Sequence, residues 1–294
     1  MITKFLALLR LIRPVNLGMI VITQVFAYYF LSPQIHWKSL LEFQFVFLVL
    51  ASMFVAAAGY IINDYMDVKL DLVNKPEKVV VGIQISRRWT MFWHFALTSI
   101  AYFLAWQVNK KVFLLVVLCS VLLWIYSQFL KKTYLIGNLL VSFLTANTIL
   151  ILMFFNPDIM THGTWVYASF AFLTTLIREI IKDTEDMRGD QLFKSNTIPI
   201  ALGVRKTKQI LLNLQLVLII FTFATVSFFE ALSYSTNRIY LMYFMYQMLF
   251  SIVPMAIMWW FIRMADTKND FSRLSLMAKL IMLSGVIGMV FWRY

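Results

Sequence analysis

The chain has 294 residues, 61% of them hydrophobic and 14% charged, with a mean hydropathy of +0.78 and a formal charge of +12. A composition this apolar excludes a soluble globular domain and defines an integral, multi-pass membrane protein. Excess Lys and Arg then report the side of the bilayer each loop occupies, not nucleic-acid binding, and one cysteine, Cys119, excludes a disulfide framework.

Nine apolar stretches of spanning length are expected in chain order, near 15–32, 41–63, 90–108, 112–130, 134–155, 164–181, 208–231, 239–262 and 274–292. The first follows Arg13-Pro14 and is long enough to span, so it reads as a retained helix and not a cleaved signal peptide. Lys110-Lys111 and Lys131-Lys132 separate spans three, four and five as tight turns. With the amino terminus in the cytoplasm, loops on that side hold 20 of the 26 Lys and Arg and loops on the other side hold 5, while Lys279 lies inside the last span. This bias predicts one domain over residues 1–294, an all-α bundle of nine transmembrane helices in the cell inner membrane.

Nine of the 14 acidic residues fall in two short stretches that this topology places on the cytoplasmic face. Asn63 to Asp71 reads NDYMDVKLD after span two, and Lys182 to Asp190 reads KDTEDMRGD at the end of span six. Both contain Asp-x-x-Asp-x-x-x-Asp. On a helix Asp64, Asp67 and Asp71 project at roughly 0°, 300° and 340°, a sector of about 60°, and Asp183, Asp186 and Asp190 repeat it. Three carboxylates on one face repel unless a cation neutralises them, and Mg²⁺ suits oxygen ligands of this kind, commonly through one or two carboxylates plus substrate phosphates. Gly82 then Ser86-Arg87-Arg88 follow the first motif, Gly203 then Arg205-Lys206-Thr207 the second, and four spans separate the two. That pattern suggests a parallel internal repeat with halves near 1–132 and 133–294 and a site between them.

The two motifs together resemble those of the UbiA superfamily of intramembrane prenyltransferases. Arg13-Pro14-Val15-Asn16 before the first span, Tyr126 to Lys131 ending the fourth, and Gly137-Asn138 extend the resemblance over the whole chain. It implies a nine-helix bundle that moves a prenyl chain from a polyprenyl diphosphate to an acceptor with Mg²⁺ as cofactor. By position, Asn63, Asp67 and Asp71 would hold one ion and Asp186 and Asp190 the other, with Asp64 and Asp183 beside them. Asp67, Asp71, Asp186 and Asp190 would be the catalytic set. Lys131 is the best-placed basic partner for the diphosphate, and Arg13, Asn16, Lys78, Tyr126, Arg178 and Lys182 are the further substrate-binding candidates. Asn74 to Gly82 departs from the family's N-x-P-x-R-P-x-x-x-G: Lys78 replaces the arginine, which loses bidentate geometry, and the second proline is gone. Beside the motifs, Tyr65 and Tyr126 are the aromatic residues expected to line the prenyl cavity.

Two other readings compete. Acids between repeats also mark ion-coupled transporters, but those place them near the bilayer midplane and here they cluster at helix ends. The Asp-Gly-x-x-Ala-Arg motif of lipid alcohol phosphotransferases is missing. For the acceptor, Arg178 to Asp190 is most similar to the branch that prenylates geranylgeranylglyceryl phosphate, and an aromatic quinone precursor such as 4-hydroxybenzoate is the alternative.

Overall fold

A computed structural model describes residues 2–32, 34–232 and 237–293, with side chains for all of these except 2–5, 78, 229–232 and 237. The elements are α1 (Ile2–Ile12), α2 (Pro14–Phe30), α3 (Phe43–Asn74), α4 (Arg87–Val108), α5 (Lys110–Gln128), α6 (Ile136–Phe155), α7 (His162–Glu185), α8 (Met187–Leu192), α9 (Ile198–Leu232), α10 (Asn237–Gln247), α11 (Val253–Met264) and α12 (Lys268–Gly288). Every expected span lies on one or two of these helices.

Six helical stretches among the described residues are long and apolar enough to cross a membrane. The pair α1–α2, bent by 50°, makes a seventh. The helices α4 and α7 reach spanning length but carry His94, Thr98 and Ser99, and Thr174, Thr175 and Arg178, which lower their apolarity. All of these but the exposed Ser99 are buried or half-buried, and His94 Nδ1 donates to the Ala58 carbonyl of α3 at 3.0 Å.

Local chemistry sets the joints. Ser86, Asn109 and Thr161 cap α4, α5 and α7 with side-chain oxygens, and Thr267 with Asp270 forms a capping box on α12. The bend before α2 falls at Arg13, whose φ of 53° is left-handed, and Pro14 opens α2 where no backbone N–H is needed. Pro254 cannot donate to the helical ladder, and the turn before it, Met248–Ile252, widens to a π-helix, so expected span eight is α10 and α11 joined. Gly82 and Gly203 both have positive φ, 82° and 79°, and Gly203 breaks α9 near its start.

Four apolar clusters result among the described residues, two of them large. One joins α2 to α6 through Ala27, Leu48, Ala51, Ala101, Ala105 and Leu152, and the other joins α7, α9, α11 and α12 through Ile177, Leu211, Met258 and Ile281. Small residues carry the closest approaches, as expected where lipid supplies no hydrophobic drive. A Cβ on Gly59 would lie 2.8 Å from the Leu123 side chain of α5. Fully buried Gln24 ties three helices, donating to Ser52 Oγ at 2.9 Å and to the Thr148 carbonyl at 3.1 Å. Cys119 is half-buried and accepts from Asn147 Nδ2 at 3.2 Å.

Candidate active site

The first acidic segment is continuous helix. At 32 residues α3 is about 48 Å long, well beyond the roughly 30 Å of bilayer hydrocarbon, and its carboxyl-terminal turns present Asn63, Asp64, Asp67 and Asp71. Asp67 is 4% exposed, and the other three are half-buried.

The second segment departs from the expected single helical sector. Asp183 belongs to α7, but Asp186 sits at a break with φ −96° and ψ 6°, and Asp190 lies on the separate short helix α8. The break turns α8 against α3. The Gly189 N–H donates to Asn74 Oδ1 at 2.9 Å, and a Cβ on Gly189 would lie 2.4 Å from Asn74 Nδ2. This contact joins the ends of the two motifs and carries Asp190 toward the Asp67 face, where each carboxylate feels the other's charge.

Protein bases pair with three of the six motif acids, where the sequence suggested repulsion relieved by a bound cation. Lys131, in the turn after α5, donates to Asp67 Oδ2 and reaches Asn63 Oδ1 at 3.5 Å. Lys75 lies 2.9 Å from Asp186 Oδ1 and 3.1 Å from Glu185 Oε1. Arg13 Nη2 is 2.5 Å from Asp64 Oδ1 with its guanidinium 5.0 Å over the Tyr60 ring, and Asn138 Nδ2 donates to Asp183 Oδ2 at 2.7 Å. Among the described residues no three His, Cys, Asp or Glu side chains form a ready-made metal cage.

Electrostatics single out two groups. Burial alone would lower the Lys131 pKa, but the Asp67 carboxylate, helped by Asp71, outweighs it and holds the amine charged. Burial raises the Asp190 pKa to about 6, and Asp186 and Asp67 push in the same direction. Lys131 is thus the cation the two acidic segments share.

The remaining expected residues are distributed as follows. Tyr126 is close enough to feel Glu179, Asp183, Asp67 and Arg13, and Asn16 lies beside the Tyr60 hydroxyl. Arg178 pairs with Glu179 at 2.5 Å, one to two turns deeper along α7. Lys182 lies between that pair and the acids, within reach of Asp71 and Asp183. The Lys78 side chain falls outside the described residues. Tyr65 is a correction: it sits about 100° off the acid face, packs near Ala7 and Leu11 of α1, and lies 4.4 Å under Arg87. Asn74, Lys75 and Asn138 were missed as site residues. Asn74 and Lys75 immediately follow the first motif, so adjacency was an available signal; Asn138 closes the Gly137-Asn138 pair that the sequence singled out.

These observations define an all-helical membrane protein with an acid–base site at one end of its bundle, built from two Asp-rich segments and a shared lysine. The chain belongs to the UbiA prenyltransferase family, whose profile matches residues 20–283, and it is an integral membrane enzyme of that type. It is similar to the digeranylgeranylglyceryl phosphate synthase of Methanobrevibacter smithii, 31% identical over 211 residues that cover 70% of this chain and 72% of the relative. A solved digeranylgeranylglyceryl phosphate synthase shares the fold with a TM-score of 0.67 at 23% identity, covering 98% of this chain and 99% of that one. A UbiA homologue from Archaeoglobus fulgidus, solved with DMAPP and Mg²⁺, has a TM-score of 0.62 at 17% identity over 96% of this chain and 98% of its own.

Proposed function

We propose that the chain transfers the prenyl group of a polyprenyl diphosphate, geranylgeranyl diphosphate in the first instance, to geranylgeranylglyceryl phosphate, with Mg²⁺ at the Asp-rich end. The observation that carries this is the apposition of Asp67 and Asp71 with Asp186 and Asp190 around Lys131. Six carboxylates lie on the two faces with Asn63, and burial, with Asp186 and Asp67, holds Asp190 protonated up to about pH 6 in spite of Lys131. Such a donor set fits a hard cation that arrives with phosphate oxygens, which needs only one or two carboxylates. Asn63, Asp67 and Asp71 would hold one ion, Asp186 and Asp190 the other, with Asp64 and Asp183 fixed beside them by Arg13 and Asn138. Bound Mg²⁺ neutralises the leaving diphosphate.

Lys131 then donates to a diphosphate oxygen in place of Asp67, and the apolar helices around Tyr126 exclude water from the allylic carbon as its bond to oxygen breaks. The bonding pair leaves with the diphosphate. The acceptor hydroxyl oxygen forms the new ether bond, and inorganic diphosphate and one proton are released. This reading keeps nine membrane crossings, with α4 and α7 as inner spans, the amino terminus and site in the cytoplasm, and halves 1–132 and 133–294. Gly82 and Gly203, each with positive φ and each four residues before a hydroxyl side chain, support the repeat.

Purified enzyme with Mg²⁺ and labelled geranylgeranyl diphosphate should form product with geranylgeranylglyceryl phosphate and little with 4-hydroxybenzoate. The M. smithii relative's name supports that order. Efficient prenylation of the aromatic acid alone would reverse it, and full turnover in EDTA would end the metal reading.

Asp190 also sets a pH dependence. Its folded pKa of about 6 exceeds the unfolded 3.8, so between those values the folded state holds a proton that the unfolded chain has lost. Metal-free stability therefore falls as pH rises through that window. Mg²⁺ needs the ionised carboxylate, so half-saturating Mg²⁺ should be flat above pH 7 and rise about fivefold from pH 6 to 5. A Mg²⁺ titration of transfer rate at each pH checks this; a constant requirement down to pH 5 removes Asp190 from the ligand set.

A further inference from the structure

Beneath the Asp-rich end lies a second charged cluster with the opposite balance. Arg13, Arg178, Lys182 and Lys279 feel one another's charge, Asp71 and Asp183 border them on the Lys182 side, and the two carboxylates set among them are Asp64 and Glu179. Both carboxylates are taken, by Arg13 and Arg178, each at 2.5 Å. Lys182 and Lys279 are half-buried, and among the described residues neither amine has a hydrogen-bond or ion-pair partner within bonding distance.

Helix packing places Lys279 there independently of charge. A Cβ on Gly285 would lie 2.3 Å from Phe170, and one on Gly288 would lie 3.3 Å from the Tyr167 hydroxyl. These pairs fix one antiparallel register of α12 on α7, which sets Lys279 level with Leu176 and within a turn of Arg178. An unpaired amine inside a membrane-spanning helix is costly unless an anion meets it. Two such amines within reach of each other's charge fit a doubly charged phosphate better than a single carboxylate.

The donor diphosphate has its own place at the Asp-rich end, and this cluster is displaced from it. Lys182 and Arg178 precede Asp186 by four and eight residues, about 6 and 12 Å along the helix. A glycerol phosphate whose hydroxyl attacks the allylic carbon at about 3–3.5 Å puts its own phosphorus several ångströms further on, at that separation.

We infer that Lys279 and Lys182, steadied by Arg178, bind the phosphate monoester of the acceptor lipid and so select a phosphorylated acceptor. The inference rests on the lipid-phosphate reading above and adds to it a residue, Lys279, that lies outside both Asp-rich motifs.

Equilibrium binding to the full-length protein in detergent and EDTA, without donor, tests it with two probes: geranylgeranylglyceryl phosphate and the same lipid lacking phosphate. Wild type should bind the phosphorylated form at least tenfold more tightly, and geranylgeranyl diphosphate should not displace it. Lys279→Gln should erase most of that preference and Lys279→Arg should keep it. In turnover, Lys279→Gln should raise the acceptor KM about tenfold and leave the donor KM within twofold. No phosphate preference in wild type, or a rise in donor KM instead, overturns the inference while leaving transfer to the lipid intact. Product from 4-hydroxybenzoate alone overturns the acceptor reading and this inference together.

Discussion

Replacing Asp67 by Asn should lower the transfer rate by about a thousandfold, and Asp186→Asn should do the same, because each removes a charge that positions metal and diphosphate as the leaving group departs. Their stabilities should part company. Asp67 is buried and accepts from Lys131, whose nearest alternative acceptor, Asn63 Oδ1, is 3.5 Å away. Losing that charge leaves a half-buried ammonium with amide partners in bonding distance and only the longer-range charges of Asp71 and Asp190, and the metal-free variant should lose about 1.5–3 kcal/mol. Lys75, by contrast, keeps Glu185 at 3.1 Å when Asp186 is neutralised, so that variant should stay within about 1 kcal/mol of wild type. Thermal unfolding in EDTA, beside transfer rates in Mg²⁺, reads both effects. If both variants melt above wild type, repulsion among the acids outweighs the pairs seen here. If both retain transfer, the Asp-rich segments are scaffolding.

The positions of the helices were legible because apolar runs of about 20 residues leave few alternatives, and the first motif was legible because three-and-four spacing along one helix fixes a face. The Asp67 face of α3 is that case. The second motif has the same spacing, yet the helix breaks at Asp186. What breaks it is packing between Asn74 and Gly189, 115 residues apart in the chain, and no local periodicity records such a contact. Tyr65 was misassigned for a different reason: adjacency to Asp64 was taken as proximity, whereas successive residues on a helix point about 100° apart. The bases that hold the acids were partly hidden too. Positive charge on loops serves topology as well as pairing, so Lys75 was marked only by its closeness to the first motif, while Lys131 stood out by its place between two spans.

Gly189→Ala should cost about 1–3 kcal/mol and lower transfer about a hundredfold, although the added methyl touches no catalytic group. The new Cβ would meet Asn74 Nδ2 at 2.4 Å and Oδ1 at 2.5 Å, so the Asn74 amide must move. Asn74 is 8% exposed, and its backbone carbonyl accepts from Lys268 Nζ at 2.7 Å, which leaves it little room. Once the amide moves, the buried Gly189 N–H keeps only the Asp186 carbonyl at 3.1 Å, and the lost bond to Asn74 with the displaced amide accounts for the stability cost. The activity cost comes through the next residue. Asp190 is carried by the same short helix, and a shift of about 1 Å in α8 takes its carboxylate out of register with Lys131 and Asp67, a misplacement sufficient for a hundredfold loss. Gly18→Ala is the control: a Cβ there meets nothing within 4 Å, so that variant should match wild type in rate and melt at the same temperature or slightly higher. If Gly189→Ala matches wild type in both measurements, the joint between Asn74 and Gly189 does not set the spacing of the two acidic segments.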